Sequence, residues 1–193
     1  MEKDVDVIVV GGGHAGIEAS SAIARLGSKV LLITLKKNQI GEMSCNPAIG
    51  GLGKGHLVRE IDALDGVMGR AIDQSGIQFR MLNRSKGPAV HGPRSQADRS
   101  LYKKSVQKML LNQQKIRVIE GYVDDLIIEN KVIKGVILGN DKKFFCSSLV
   151  ITTGTFLGGK IFVGNKTFEA GRIGHKSSSK LSKKIRKLGF PVG

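Results

Sequence analysis

The chain has 193 residues, of which 40% are hydrophobic, and a formal net charge of +15. No apolar run approaches the roughly 20 residues that cross a bilayer, which argues against an integral membrane protein. Met1-Glu2-Lys3 is also too short for a signal or transit peptide ahead of the first predicted strand. Cys45 and Cys146 are too few for a disulfide framework. We therefore expect a cytoplasmic protein with one core.

A glycine-rich segment near the N-terminus separates a predicted strand from a predicted helix. The segment is Gly11-Gly12-Gly13-His14-Ala15-Gly16. It follows an apolar run at 5–10 and precedes a helical stretch at 17–26, and a second strand is predicted at 29–34. In this context a G-x-G-x-x-G turn is typical of a site for the pyrophosphate of a dinucleotide. The helix N-terminus adds free N–H groups and a positive dipole. The alternative is a glycine-rich turn that binds nothing.

The middle of the chain mixes loops and helices. The pattern predicts, in order, an irregular stretch at 41–55, helices at 54–65 and 67–74, an extended segment at 77–82, a loop at 83–93 and a long helix at 95–112. Leu57, Ile61 and Leu64 share one face of the first of these helices, and the side chains expected to point inward from the last are Leu101, Val106, Met109 and Leu110.

Short apolar runs dominate the second half. They predict strands at 116–119, 123–128, 132–138, 143–146 and 149–152. Turn-forming residues at 129–131 and 139–141 separate the middle three, which indicates a three-stranded meander. The last strand ends in Thr152-Thr153-Gly154-Thr155, and a glycine-rich strand and loop at 158–174 leads into a basic helix at 180–188.

Positive charge is concentrated in two stretches. Ten lysines and arginines lie between Arg80 and Arg117 beside a single acid, Asp98, and nine lie between Lys160 and Lys187 beside Glu169. A solvated surface and contact with nucleic-acid phosphates explain such stretches equally well.

Cys45 is the candidate reactive side chain. It lies among Ser44, Asn46 and Pro47, which are poor core material, and Lys54 follows shortly after. A positive neighbour or a helix N-terminus activates a thiol by lowering its pKa, whereas a lone cysteine is otherwise a small buried hydrophobe.

Cys146 is predicted to be a buried residue of the core. The remaining histidines, His56, His91 and His175, have no cysteine or carboxylate at ligand spacing, so no metal site is predicted.

Several ordered segments together resemble one family. They are the segment from Met43 to His56, Ser85-Lys86-Gly87-Pro88-Ala89-Val90, Gln96-Ala97-Asp98-Arg99 and Gly154-Thr155-Phe156-Leu157. The chain resembles the N-terminal third of the tRNA uridine 5-carboxymethylaminomethyl modification enzymes, the MnmG or GidA family. The resemblance implies an α/β fold, an FAD/NAD(P)-binding Rossmann-like parallel sheet of the two-dinucleotide-binding-domain flavoprotein type. A β-meander is inserted into it, and the C-terminal part is missing.

The resemblance also implies chemistry. Family members bind FAD, are reduced by NADH, take a one-carbon unit from methylenetetrahydrofolate and modify the wobble uridine of tRNA at C5. They act with a tRNA-modifying GTPase of the MnmE type, and a homodimer is expected. Carried over, the FAD site comprises Gly11 to Gly16, Val123 beside the adenine, Gly154 and Ser178, and Cys45 is one of two catalytic cysteines.

The expected organisation is one incomplete FAD-binding domain over 1–193. Its parts are a β-α-β start at 4–35, the Cys-Asn-Pro loop with helices at 41–114, the meander and return strand at 116–154, and a glycine-rich loop with basic helix at 155–193. The second strand ends without the acid that often binds the ribose. The isolated chain is expected not to complete a catalytic cycle. The alternatives are a folate- and FAD-dependent tRNA uridine methyltransferase and a non-catalytic remnant that binds flavin or RNA.

Overall fold

The computed structural model describes residues 4–43, 46–172, 175–176 and 178–190. The strands are β1 (Val7–Val10), β2 (Val30–Thr34), β3 (Ala48–Gly50), β4 (Gly76–Leu82), β5 (Gly92–Ala97), β6 (Ile116–Glu120), β7 (Val123–Glu129), β8 (Val132–Leu138), β9 (Lys143–Phe145), β10 (Ser148–Ile151), β11 (Lys160–Val163), β12 (Lys166–Arg172) and β13 (His175–Lys176). The helices are α1 (His14–Arg25), α2 (Lys54–Ala63), α3 (Val67–Ser75), α4 (Arg99–Leu111) and α5 (Ser179–Lys187).

A parallel sheet forms the centre of the fold, in the order β10-β1-β2-β6. The two middle strands are continuous apolar runs whose side chains alternate between two covered faces. Val9 and Leu32 pack on one face, while Ile8 and Leu31 pack on the other, and all four are inaccessible to solvent. Continuous apolar strands are what a parallel sheet buried on both faces requires. The predicted α/β class is confirmed.

Each face of the sheet has its own core. The first includes Ile17 of α1, Ala71 and Ile72 of α3, and Tyr102 and Leu110 of α4. The second is formed with the antiparallel meander β7-β8-β9 and with Leu181 of α5. The sheet therefore lies between a helical layer and a layer built from the meander and α5.

The meander was predicted correctly. β7 pairs with β8 across a tight turn in which Asn130 and Lys131 have φ values of 50° and 63°. Two consecutive residues with positive φ make the turn that suits the right-handed twist of a hairpin.

A small antiparallel sheet, in the order β3-β5-β4, was not predicted. The expectation of no strand within 41–55 is wrong for β3, and β5 occupies residues assigned partly to the 83–93 loop and partly to the 95–112 helix. The sheet depends on pairing between residues distant in sequence, such as Ala48 with Gln96. The helix predicted at 95–112 is α4, and it begins later than predicted because Asp98 caps it. The carboxylate of Asp98 accepts the N–H of Leu101 at 2.8 Å.

Two predicted helix faces differ in the structure. Leu101 is 51% exposed and Tyr102 takes its place in the core, since residues spaced by four from Val106 and Leu110 form the buried stripe of α4. Met109 packs partly against the same core. On α2, Leu57 and Leu64 are exposed although the sequence places them on one apolar face with Ile61.

The other predicted helices and strands are confirmed, with ends shifted by a few residues, and 158–174 includes the antiparallel pair β11 and β12. Within the described residues, no helix has the length and apolar character needed to cross a membrane.

Candidate functional site

A cavity of about 280 Å³ lies where β1, β2 and β10 end. Ligands of open parallel sheets bind at the carboxyl ends of the strands, so this is the expected place for a cofactor. The predicted cofactor residues that line the cavity are Gly11, Gly12, Gly13, His14, Val123, Gly154 and Ser178. Ala15 and Gly16 do not line it. The fold thus brings together residues separated by more than 160 positions in the sequence.

Gly11 and Gly16 allow the turn to pack closely against its surroundings. Gly11 has a φ of 113°, and a Cβ there would clash with the carbonyl oxygen of Thr152 at the end of β10. A Cβ at Gly16 would overlap the carbonyl oxygen of Gly11. These positions lack side chains because protein atoms occupy the space.

Gly13 and Gly154 differ, because a Cβ at either position would meet no protein atom within 4 Å. Both residues line the cavity. Gly154 has a φ of 54°, a conformation in which glycine avoids the strain of other residues. The space beside them is open to a ligand, and the absence of side chains lets that ligand approach the backbone.

The N-terminus of α1 supplies the polar character of the cavity. The helix begins at His14, no side chain caps it, and its first turn contains no acid. Its terminal N–H groups and dipole favour an anion. Among the residues that the structure describes, no lysine or arginine lines the cavity. An anion here would be held by the backbone.

His14 is held in its neutral form. Burial, followed by the charge of Lys54, lowers its pKa from 6.5 to about 4. Its ring lies 5.6 Å from that of Tyr102, whose pKa is raised by burial and by Glu18. The Nε2 atom of His14 and the hydroxyl of Tyr102 are buried without a hydrogen-bond partner. Buried polar atoms normally bind a partner, a ligand or water, and of these two residues only His14 lines the cavity, so its Nε2 has capacity for one there.

Cys45 lies outside the described residues, but the chain on both sides of it is placed. Glu42 lines the cavity, and Met43 is buried in the helical core. On the other side, the carbonyl oxygen of Pro47 accepts the N–H of Ala97 at 2.6 Å. Along the chain, Cys45 therefore lies between Glu42 in the cavity wall and Pro47, which is hydrogen-bonded to the small sheet. Cys146 is buried, as predicted, and burial raises the pKa of its thiol.

Sequence reasoning missed several residues that line the cavity: Thr34, Gln39, Glu42, Tyr122, Thr152 and Phe156. Two of them could have been found, because Tyr122 precedes Val123 and Thr152 ends the strand before Gly154. Nothing local marks Glu42, which brings a carboxylate to a cavity whose second strand ends without one.

Side chains of the two basic stretches have different kinds of partner in the fold. In the second stretch, Lys180 pairs with Asp124 at 2.6 Å and Lys184 with Asp125 at 2.8 Å, which ties α5 to β7. In the first stretch, Arg117 lies over the ring of Phe144 at 5.9 Å. Among the residues that the structure places, no group of three side chains suited to a metal ion is present.

Comparisons with known proteins agree with this geometry. The profile of the family described as "Glucose inhibited division protein A" (GIDA) matches residues 6–193. A curated relative from Granulibacter bethesdensis, "tRNA uridine 5-carboxymethylaminomethyl modification enzyme MnmG", is 58% identical over 191 residues, which are 97% of this chain and 30% of that protein.

Among solved structures, Aquifex aeolicus GidA superposes with a TM-score of 0.92 at 48% identity, covering 98% of this chain and 31% of that one. The GidA-related protein from Thermus thermophilus has a TM-score of 0.64 at 19% identity, covering 96% and 69% respectively, a likeness of fold alone. The chain thus spans about a third of the length of its closely similar relatives. The profile match over nearly all of its residues shows that the chain belongs to the GidA family.

Proposed function

We propose that this chain is the FAD-binding part of a flavoenzyme that installs the carboxymethylaminomethyl group at C5 of the wobble uridine of tRNA. The supporting observation is the 58% identity to a protein named for that modification, over 97% of this chain. The glycine-lined cavity at the strand ends supports the cofactor assignment independently.

The cavity fits FAD in three respects. Open space beside Gly13 and Gly154 admits a ligand to the backbone. The uncapped N-terminus of α1 suits a pyrophosphate. The unpartnered Nε2 of His14 leaves a polar atom to satisfy. In this assignment the turn from Gly11 to Gly16 would hold the pyrophosphate, with Gly11 to His14 facing it and Ala15 and Gly16 completing the turn behind them.

At the other walls of the cavity, Val123 would hold the adenine and Gly154 and Ser178 would supply further contacts. When bound, the flavin supplies hydride transfer. The side chains keep the turn uncharged because His14 remains neutral near pH 7.

Cys45 is proposed as the nucleophile or acid of the reaction. A thiol reacts as a nucleophile in its thiolate form, and positive neighbours favour that form. Its segment begins at the cofactor cavity, where Glu42 lies in the wall. The family resemblance adds NADH as reductant, methylenetetrahydrofolate as one-carbon donor, an MnmE-type GTPase partner and a homodimer to the proposal. The cytoplasmic location is proposed from the composition of the chain and its two cysteines.

Turnover is proposed to need the longer polypeptide. The chain spans 30% of the length of its MnmG relative, so most of that protein's residues have no counterpart here. We expect the 193-residue chain alone to show neither NADH oxidation nor modified wobble uridine.

The function is tested by expressing the full-length polypeptide in bacteria that lack their own enzyme and analysing tRNA nucleosides by mass spectrometry. Wild type should yield 5-carboxymethylaminomethyluridine. Cys45→Ser should keep its flavin and lower modification at least about 100-fold, since serine is a weaker nucleophile and acid.

Cys146→Ser is the control for loss of a thiol, because Cys146 is buried in the meander layer. It should retain modification. Accumulation of 5-methyluridine instead would identify a methyltransferase and contradict the proposal. Wild-type turnover by Cys45→Ser would remove Cys45 from the chemistry.

A further inference from the structure

A second cavity, of about 370 Å³, lies between α2, α3 and the small sheet β3-β5-β4. Four arginines line it: Arg59 of α2, Arg80 of β4, Arg84 of the following turn, and Arg94 of β5. We call it the arginine groove. A single acid, Asp73, lies in its lining.

The four guanidinium groups have no partners within the described ranges, where none of them makes an ion pair or a side-chain hydrogen bond. Three arginines elsewhere in the described residues do have partners. Arg25 and Arg70 both lie within 4 Å of Asp65, and Arg117 lies over Phe144. Four positive charges in a groove lined by a single acid repel one another, and a bound anion relieves that repulsion.

Phosphate is the anion that suits these groups best. A guanidinium presents its N–H donors as a planar fork, and this fork matches the oxygens of a phosphate. The guanidinium also keeps its positive charge at every physiological pH. Several arginines on separate elements can contact successive phosphates of one strand.

The groove also offers a surface for a base. Phe79 lines it and is 61% exposed, and its ring occupies the space that a side chain at Gly76 would fill. The ring of Phe79 can occupy this position because Gly76 has no side chain. Exposed aromatic rings beside positive grooves stack nucleotide bases.

The groove is linked to the cofactor cavity through the segment that contains Cys45. Glu42 lines the cavity and Ile49 lines the groove, seven positions later. Ile49 in the groove wall is therefore four positions along the chain from the proposed reactive thiol of Cys45.

The geometry points to a nucleotide segment of the RNA substrate as the occupant of the arginine groove, with its phosphates on the arginines and a base against Phe79. This inference rests on the proposed function and gives it a binding surface. An RNA strand is favoured over a free dinucleotide because the charges lie on four elements and Arg59, Arg80 and Arg84 are exposed.

The test measures binding of an unmodified anticodon stem-loop RNA to the full-length, flavin-loaded protein over a range of salt concentrations. Arg80→Gln combined with Arg84→Gln should weaken binding at least tenfold. It should also reduce the slope of log K against log salt by about 1.4, since each phosphate contact of a single strand contributes roughly 0.7.

The matched control is Lys134→Gln combined with Lys142→Gln. Both lysines are exposed on the meander layer, across the parallel sheet from the helical layer, and the variant removes the same charge. It should leave affinity and slope unchanged. Phe79→Leu should weaken binding about tenfold with an unaltered slope. Flavin content should be normal in every variant, which reports correct folding.

Equal affinities and slopes for the arginine and lysine variants would overturn the inference while leaving the proposed function intact. Slower reduction by NADH with unchanged RNA binding would also overturn it, by assigning the groove to a free dinucleotide. A wild-type protein that binds no RNA would instead refute the proposed function itself.

Discussion

The cofactor cavity and the arginine groove are built in opposite ways. The cavity has no lysine or arginine in its described lining, and two of its glycines have open space where a side chain would lie. The groove is lined by four arginines on four different elements. The first arrangement suits binding through backbone and shape, so we expect it to tolerate few substitutions. The second suits binding through charged side chains, so we expect its loss to be graded and sensitive to salt.

The largest expected effect tests whether His14, in the wall of the cavity, is uncharged. His14 has a pKa of about 4 in the folded protein against 6.5 for an exposed histidine, because of burial. The unfolded chain therefore binds the extra proton first, and stability is lost as pH falls from 6.5 towards 4. The full difference corresponds to about 3 kcal/mol.

His14→Gln should remove this dependence, as measured by denaturant unfolding of wild type and variant at several pH values. His56→Gln is the control, since His56 is exposed and should leave the pH dependence as it is. A wild-type stability curve that falls no more steeply than that of His14→Gln would show that the pKa of His14 is not lowered in the folded protein.

A smaller effect separates ligand contact from backbone strain. Gly154 and Gly164 have φ values of 54° and 57°, and a Cβ at either would meet no protein atom within 4 Å. Alanine should therefore destabilise the protein equally at both positions, by about 1 kcal/mol. Because only Gly154 lines the cavity, Gly154→Ala alone should weaken flavin binding, about tenfold.

Flavin dissociation constants from fluorescence titration, together with melting temperatures, check this pair. Equal flavin affinities in Gly154→Ala and Gly164→Ala would place Gly154 outside the cofactor contacts.

The sequence alone predicted those parts of the fold whose conformation is determined by residues adjacent in the chain. The turn from Gly11 to Gly16 lies between a buried strand and a helix, and tight turns separate the strands of the meander. In both cases consecutive residues impose the conformation, through glycine conformational freedom or turn geometry. The cavity residues Val123, Gly154 and Ser178 were placed only through the family resemblance, because they reach the cavity from distant parts of the chain.

The small sheet could not be predicted for the same physical reason. β3 is three residues long beside a run of glycines, and β5 contains Pro93 and Arg94, so neither has strong strand propensity. They form a sheet because tertiary pairing joins Ala48 to Gln96. The arginine groove depends on that sheet, so in the sequence Arg80, Arg84 and Arg94 are recognised only as part of a basic stretch and Arg59 is not marked at all.

The central claim is that the glycine turn holds FAD, and the flavin content of purified Gly13→Val tests it most directly. Gly13 has an ordinary φ of −75° and open space around its missing side chain, so valine should leave the fold intact and obstruct the ligand. Ala89→Val, at an exposed position outside both cavities, controls for an added branched side chain. With both proteins folded by circular dichroism, we predict that Gly13→Val purifies without flavin absorbance and Ala89→Val with the wild-type amount. A folded Gly13→Val with undiminished flavin would contradict the account.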